Sequence, residues 1–146
     1  GGSLHPEIKT SDQTSDSFIY DPGNPVPSLG SQYQTYDFCG PHDRSHIQRR
    51  TDVLTFTTDV LTEDMEITGP ISATIWASSD AKDTDFTATL TDLEPDGKAI
   101  ALCEGIVRAR FRNGTENPEM MVPGEIYKFE IDMWNTSNSF ITNSCG

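Results

Sequence analysis

Between Thr51 and Arg112 the chain reads TDVLTFTTDVLTEDMEITGPISATIWASSDAKDTDFTATLTDLEPDGKAIALCEGIVRARFR. Apolar and polar residues alternate along this stretch, which is the period of half-buried strands. Ile71, Ala73 and Ile75 fall on one face, with Ser72, Thr74 and Trp76 on the other. In the next run Phe86, Ala88 and Leu90 oppose Thr87, Thr89 and Thr91. Glu94-Pro95-Asp96-Gly97 then forms a turn for stated reasons: Pro presets φ, Asp bonds its own backbone, and Gly accepts the left-handed conformation. A returning strand sets Ile100 and Leu102 opposite Ala101 and Cys103, so the unit reads as a β-hairpin. Gly69-Pro70 marks a strand start, because Pro sits where no ladder donor is needed. About five strands are expected over the stretch.

On the C-terminal side, Asn113 to Glu125 is a polar connection. Tyr127, Phe129, Ile131 and Met133 then alternate with Lys128, Glu130 and Asp132, the cleanest strand pattern in the chain. On the N-terminal side, Ser3 to Gly30 is rich in Ser, Asp, Pro and Gly. Pro22, Pro25 and Pro27 impose an extended path there, and Phe18-Ile19-Tyr20 reads as its apolar anchor. Ser31 to Asp52 is loop-like. No segment of about ten residues carries a helical period, so the fold class is all-β, a sandwich or a barrel.

The chain has 146 residues, the size of one domain with one core. Ten basic residues against 23 acidic ones give a net charge of −13, which repels a phosphate backbone and argues against nucleic acid as a partner. Cys39, Cys103 and Cys145 are too scattered for metal-ligand spacing and odd in number for a disulfide framework. A reducing, cytoplasmic compartment fits them. Cys103, inside a strand, is expected to be buried. No run of about 18 apolar residues reads as a membrane span, and Gly1 to Thr10 lacks a signal peptide's charged start and apolar middle. Gly1-Gly2 reads as a cut from a longer chain.

Three groups of side chains invite a chemical reading. His42, Asp43 and His46 would be a metal site if a helix aligned them, but Pro41 and the flanking turn residues do not promise one and no fourth ligand is near. Arg49 and Arg50 are expected to pair with surplus carboxylates. Asp80, Asp83 and Asp85 lack the central Gly and closing Glu of a calcium loop. They read instead as a structural turn, with Asp83 or Asp85 bonded to backbone amides or to Arg108, Arg110 and Arg112. Those arginines alternate with Val107, Ala109 and Phe111 and would share one sheet face. Asn113-Gly114-Thr115 and Asn135-Thr136-Ser137 match the glycosylation acceptor, a short and common pattern. No Gly-x-Ser-x-Gly elbow is present, so no catalytic residue is assigned. No metal or other cofactor is assigned either.

Several short runs, taken in order, resemble a known family. Tyr20-Asp21-Pro22, Asn24-Pro25-Val26-Pro27, Asp52-Val53-Leu54, Val60-Leu61 and Thr68-Gly69-Pro70 come first. Ser78-Ser79-Asp80, Asp83-Thr84-Asp85-Phe86-Thr87, Pro95-Asp96-Gly97 and Glu104-Gly105-Ile106-Val107-Arg108-Ala109-Arg110-Phe111-Arg112 follow. Together they resemble the C-terminal domain of the X-Pro dipeptidyl-peptidase and cocaine-esterase-like (CocE/NonD) serine hydrolases. The resemblance implies a jelly-roll-like, galactose-binding-like β-sandwich over residues 31–146. Residues 1–30 would be the linker leaving an α/β-hydrolase catalytic domain of the same polypeptide. The catalytic Ser, Asp and His would lie in that domain. Around Gly40, Asp43 and Arg44 only part of the family's Gly-x-x-Asp-Gln-Arg pattern survives. The Gly-His-Arg-Ile-like strand expected after Phe140 is replaced by Ile141 to Gly146, so a closing strand is altered or missing and a sheet edge is left open.

On this reading the domain is non-catalytic; it braces the hydrolase and walls its pocket. Tyr33, Gln34 and Tyr36 are candidates for the pocket lip or for the interdomain contact. Ester, amide and Xaa-Pro substrates stay open, as does a homo-oligomer. The rival class is a free-standing carbohydrate-binding or adhesion module, for which exposure of Trp76 and Trp134 on one concave face would count.

Overall fold

The structure, a computed structural model, describes residues 1–7, 14–31 and 39–142. Its elements are β1 (Gly2–Ser3), α1 (Ser45–Gln48), β2 (Phe56–Thr57), β3 (Met65–Ala77), β4 (Asp85–Leu93), β5 (Ala99–Arg108), a 3-10 turn at Ala109–Phe111, and β6 (Tyr127–Phe140). β1 pairs with β2 in parallel, β3 with β6, and β4 with β5. The chain forms two compact units. One comprises Gly1–Ile67, Thr91–Leu102 and Asn138–Gly146; the other comprises Thr68–Leu90 and Cys103–Ser137.

The second unit holds the sandwich core. Along β3 the half-buried positions are Ile71, Ala73, Ile75 and Ala77, while Ser72, Thr74 and Trp76 are exposed. β6 buries Phe129, Ile131 and Met133. Cys103, Ile131 and Met133 pack with Ile71, Ala73 and Ile75 from β3, Phe86, Ala88 and Leu90 from β4, and Val107 from β5. Phe129 joins Ala109 and Met121 next to them, its ring 4.5 Å from that of Phe86. Two sheets thus bury their inner faces against each other, which is the definition of an all-β sandwich.

β5 contributes mostly small residues to the interior: Ala99, Ala101, Cys103 and Gly105 are buried, and the larger Ile100, Leu102 and Ile106 face away. A Cβ built on Gly105 would lie 2.2 Å from the carbonyl oxygen of Asp132 and 2.8 Å from Cγ2 of Ile131. Only glycine tolerates an approach this close.

The first unit buries Ile47, Ala99, Ala101 and Phe140. It also contains the turn between β4 and β5, where Gly97 (φ 88°) donates to Glu94 O at 2.8 Å and Glu94 N donates to Lys98 O at 2.8 Å. The hairpin therefore closes at the expected residues.

Three expectations need correction. Residues 51–112 contain four strands, and the first is only two residues long. Gly69-Pro70 lies inside β3 and does not begin it; Gly69 takes φ 131°, and Pro70 is tolerated because β3 pairs with β6 alone among the described strands. The strand that starts at Tyr127 continues through the polar run to Phe140. Phe18, Ile19 and Tyr20 are exposed, Ile19 at 89 %.

Gly105→Ala is expected to destabilise the domain by about 3 kcal/mol or more, because backbone and not a pliable side chain must move. A urea titration that leaves the midpoint within error of the parent protein would contradict this.

Candidate functional site

A charged side chain fastens the turn at Asp21–Asn24. Arg50 Nε and Nη2 donate to the two carboxylate oxygens of Asp52, each at 2.7 Å. The same guanidinium reaches Asn24, with Nη2 donating to its carbonyl at 2.7 Å and Nη1 to its Oδ1 at 3.2 Å. Asn24 closes a turn whose N–H donates to Asp21 O, and Asp21 Oδ1 accepts from Gly23 N. One arginine therefore ties the Asp21–Asn24 turn to the chain beyond α1. The sequence signal was a bidentate-capable Arg two residues before an Asp in a loop-like segment; the partner turn could not be read from it.

Residues 32–38 lie outside the described residues, and with them Tyr33, Gln34 and Tyr36. The stem of their loop is described. Ser31 N donates to Gly40 O at 2.8 Å and Gly40 N to Ser31 O at 3.1 Å. Gly30 and Ser31 both take left-handed backbone, φ 82° and 63°. A Cβ on Gly30 would meet Gly40 O, Ala101 Cβ and His42 Cβ at 3.0–3.1 Å, so the stem is packed tightly against β5.

Below the stem, Ala101 N donates to His42 O and Arg44 N to Ala99 O. Asp43 Oδ1 accepts from Ser45 N at 2.8 Å and Ala99 N at 3.1 Å, and its Oδ2 accepts from Ser45 Oγ. His42 Nε2 donates to the Cys39 carbonyl. With both Asp43 oxygens and the His42 Nε2 so engaged, His42 and Asp43 fasten a loop, and His46 is exposed on α1. Among the described residues no three His, Cys, Asp or Glu side chains are placed to hold a metal ion. The Ser45 N–H, then the Ala99 N–H and the Ser45 hydroxyl, hold the Asp43 carboxyl below the usual carboxylate range.

In the second unit a pair of acid–arginine brackets closes the end of the hairpin. Asp85 binds Arg108 through both carboxylate oxygens at 2.8 and 2.9 Å. Asp83 Oδ1 accepts from the Arg110 backbone N–H at 3.0 Å and Oδ2 from its Nε at 2.7 Å. The Arg108 guanidinium lowers the pKa of Asp85. The arginines do not share a sheet face. Only Arg108 is on β5; Arg110 is in the 3-10 turn and Arg112 follows it. Asp83 takes the Arg110 N–H that a sheet ladder would have used. Arg112 donates to Ala109 O and Glu119 O and lies over the Tyr127 ring, 4.4 Å from its centroid. Glu119 N donates in turn to Arg110 O.

Cys103 is buried, and burial raises its thiol pKa; Cys39 is exposed, and neither is in a disulfide. No helix among the described residues is long and apolar enough to cross a membrane.

The described ionic groups fasten the loops of a β-sandwich, and the sequence contains no nucleophile elbow. The chain belongs to the family described as the X-Pro dipeptidyl-peptidase C-terminal non-catalytic domain, which matches residues 3–141. It is 49 % identical over 142 residues to cocaine esterase of Rhodococcus sp. (strain MB1 Bresler), covering 97 % of this chain and 25 % of that protein. Among solved structures, an aminopeptidase from the marine sediment archaeon Thaumarchaeota archaeon aligns with TM-score 0.67 and 25 % identity over 72 % of this chain and 19 % of its own. An α-amino acid ester hydrolase aligns with TM-score 0.61 and 23 % identity, again over 72 % of this chain and 19 % of its own, a likeness of fold. The chain thus spans about a quarter of the length of the curated relative.

Because the folded Asp43 pKa is depressed, its contribution to stability is full above the unfolded value of about 3.9 and is lost as pH falls through the lower folded value. Asp43→Asn is expected to lower stability at pH 7 and to flatten the decline below about pH 4. Thermal unfolding recorded from pH 7 to 2 on both proteins checks this, and parallel curves would refute it.

Proposed function

We propose that this domain is the non-catalytic C-terminal β-sandwich of an α/β-type serine hydrolase, in which it braces the catalytic domain and helps to wall the substrate pocket. The observation that carries this reading is the family match across residues 3–141, together with a relative four times as long that is named an esterase. The parent polypeptide would open esters, amides or Xaa-Pro peptides through an acyl-serine on its other domain. No cofactor is required for that chemistry, and a cytoplasmic location and a jelly-roll strand order belong to the same proposal. Residues 1–30 are the linker between the two domains, and residues 31–146 are the sandwich.

Tyr33, Gln34 and Tyr36 form the pocket lip or the interdomain contact. In support, the residues that flank them are held: Ser31 and Gly40 exchange backbone bonds, and Gly30 packs on Ala101 of β5. Tyr33, Gln34 and Tyr36 supply aromatic and amide surface there. A second reading, a carbohydrate-binding module, is favoured by one observation: Trp76 and Trp134 are both exposed.

A fluorophosphonate serine probe is expected to label the whole polypeptide outside residues 1–146 and to leave these residues unmodified. A serine adduct mapped within them would overturn the reading. Tyr33→Ala in the whole polypeptide is expected to change KM while burst-phase acylation persists; a folded variant unable to acylate would show that Tyr33 takes part in the chemistry.

A further inference from the structure

β6 contains an irregularity that the core does not require. Phe129, Ile131 and Met133 are buried at alternate positions, but Trp134 and Asn135 are then both exposed, and Phe140 is buried on the opposite parity. One extra residue has been absorbed, which is the signature of a β-bulge. Trp134 absorbs it at φ 68°, its N–H donating to Asp132 Oδ1 at 2.8 Å. Left-handed backbone costs a non-glycine residue on the order of 1–2 kcal/mol, and Gly or Asn would sit there more cheaply. Trp134 nevertheless stands 64 % exposed, so most of its indole is left uncovered by the described residues.

Trp76 lies on the same sheet. Its neighbour Ile75 packs into the core, as Met133 does beside Trp134, so both indoles project from the outer face of the β3–β6 pair. Trp76 is 68 % exposed. Thr68 Oγ1 meets Ser137 Oγ at 3.0 Å, which puts Trp134 toward the Thr68 end of β3 and Trp76 toward the other. At a strand's rise the two indoles are separated by roughly 15 Å. Ser72, Thr74, Lys128 and Glu130 occupy the exposed positions of the two strands. Two aromatic anchors with polar residues around them is the anatomy of a protein interface. A single sugar ring stacks on one indole and would leave the other unused.

We propose that the outer face of the β3–β6 sheet, anchored by Trp134 and Trp76, is the surface on which the hydrolase domain of the same polypeptide docks. This rests on the function proposed above. The occupant follows from length: the matched esterase carries three quarters of its chain outside this domain, and the matched solved hydrolases about four fifths. That remainder is covalently tethered, so it meets this face at high effective concentration.

The test is hydroxyl-radical footprinting of the whole polypeptide, native and urea-unfolded, alongside fluorophosphonate labelling. The expected result is a labelled enzyme in which Trp76 and Trp134 are both protected in the native state. Trp134→Gly, which suits the left-handed backbone, should keep the enzyme labelled, restore Trp76 reactivity and shorten its half-life against heat. An active enzyme with both indoles as reactive as when unfolded would overturn the docking face and leave the hydrolase reading standing. So would an unchanged Trp76 footprint and half-life in Trp134→Gly. Protection that appears only on adding xylohexaose or cellohexaose would replace the face with a sugar platform, and protection lost on dilution would assign it to a second copy. A polypeptide that neither labels nor turns over an activated ester would overturn both readings.

Discussion

Gly105 on β5 faces the backbone of Asp132 on β6, and the missing side chain lets the two sheets meet there at carbonyl distance. The arrangement pairs small with large. β5 offers Cys103 and Gly105, and β6 answers with Phe129, Ile131 and Met133. A sandwich fills its interior only where the side chains of facing strands sum to the available gap. The position of the carbonyl at 132 is in turn part of the bulge that follows, since the Asp132 side chain caps the Trp134 N–H. A packing constraint on the inside of the sheet is thereby linked to an exposed indole on the outside.

Around this core, arginine does the work that apolar contacts do elsewhere. Arg50 holds the Asp21–Asn24 turn, Arg108 and Arg110 hold the chain at Asp85 and Asp83, and Arg112 holds the connection that returns at Glu119. Guanidinium suits the role because its donors are fixed in a plane and can satisfy a carboxylate and a carbonyl together. The acidic surplus of the sequence is taken up partly here, and partly by backbone amides, as at Asp43 and Asp132.

The strands were legible where one face is buried and the other wet. Ile71 to Trp76 and Tyr127 to Met133 declare themselves by alternation alone, and Pro95-Asp96-Gly97 declares the turn. The second half of β6 was hidden twice over: its residues are polar, and the bulge at Trp134 inverts the phase that periodicity relies on. The short 3-10 turn at Ala109–Phe111 was hidden because its residues alternate like a strand, and Asp83, 27 positions earlier, diverts the Arg110 N–H. The Arg50 clamp was hidden because its partner Asn24 is polar and lies 26 positions away. Asp43 and His42 could be read as ligands or as fasteners until the positions of Ser45, Ala99 and Cys39 were known.

The paired bonds between Ser31 and Gly40 separate what lies beyond them from what lies beneath. A bridge made of backbone groups alone makes no demand on the side chains of the segment it closes. Closing a segment twice as long adds only about 0.6 kcal/mol of entropy. Sequence drift between the two bridge residues would therefore cost the bridge itself little. Lineages could try new loops there while inheriting the scaffold unchanged.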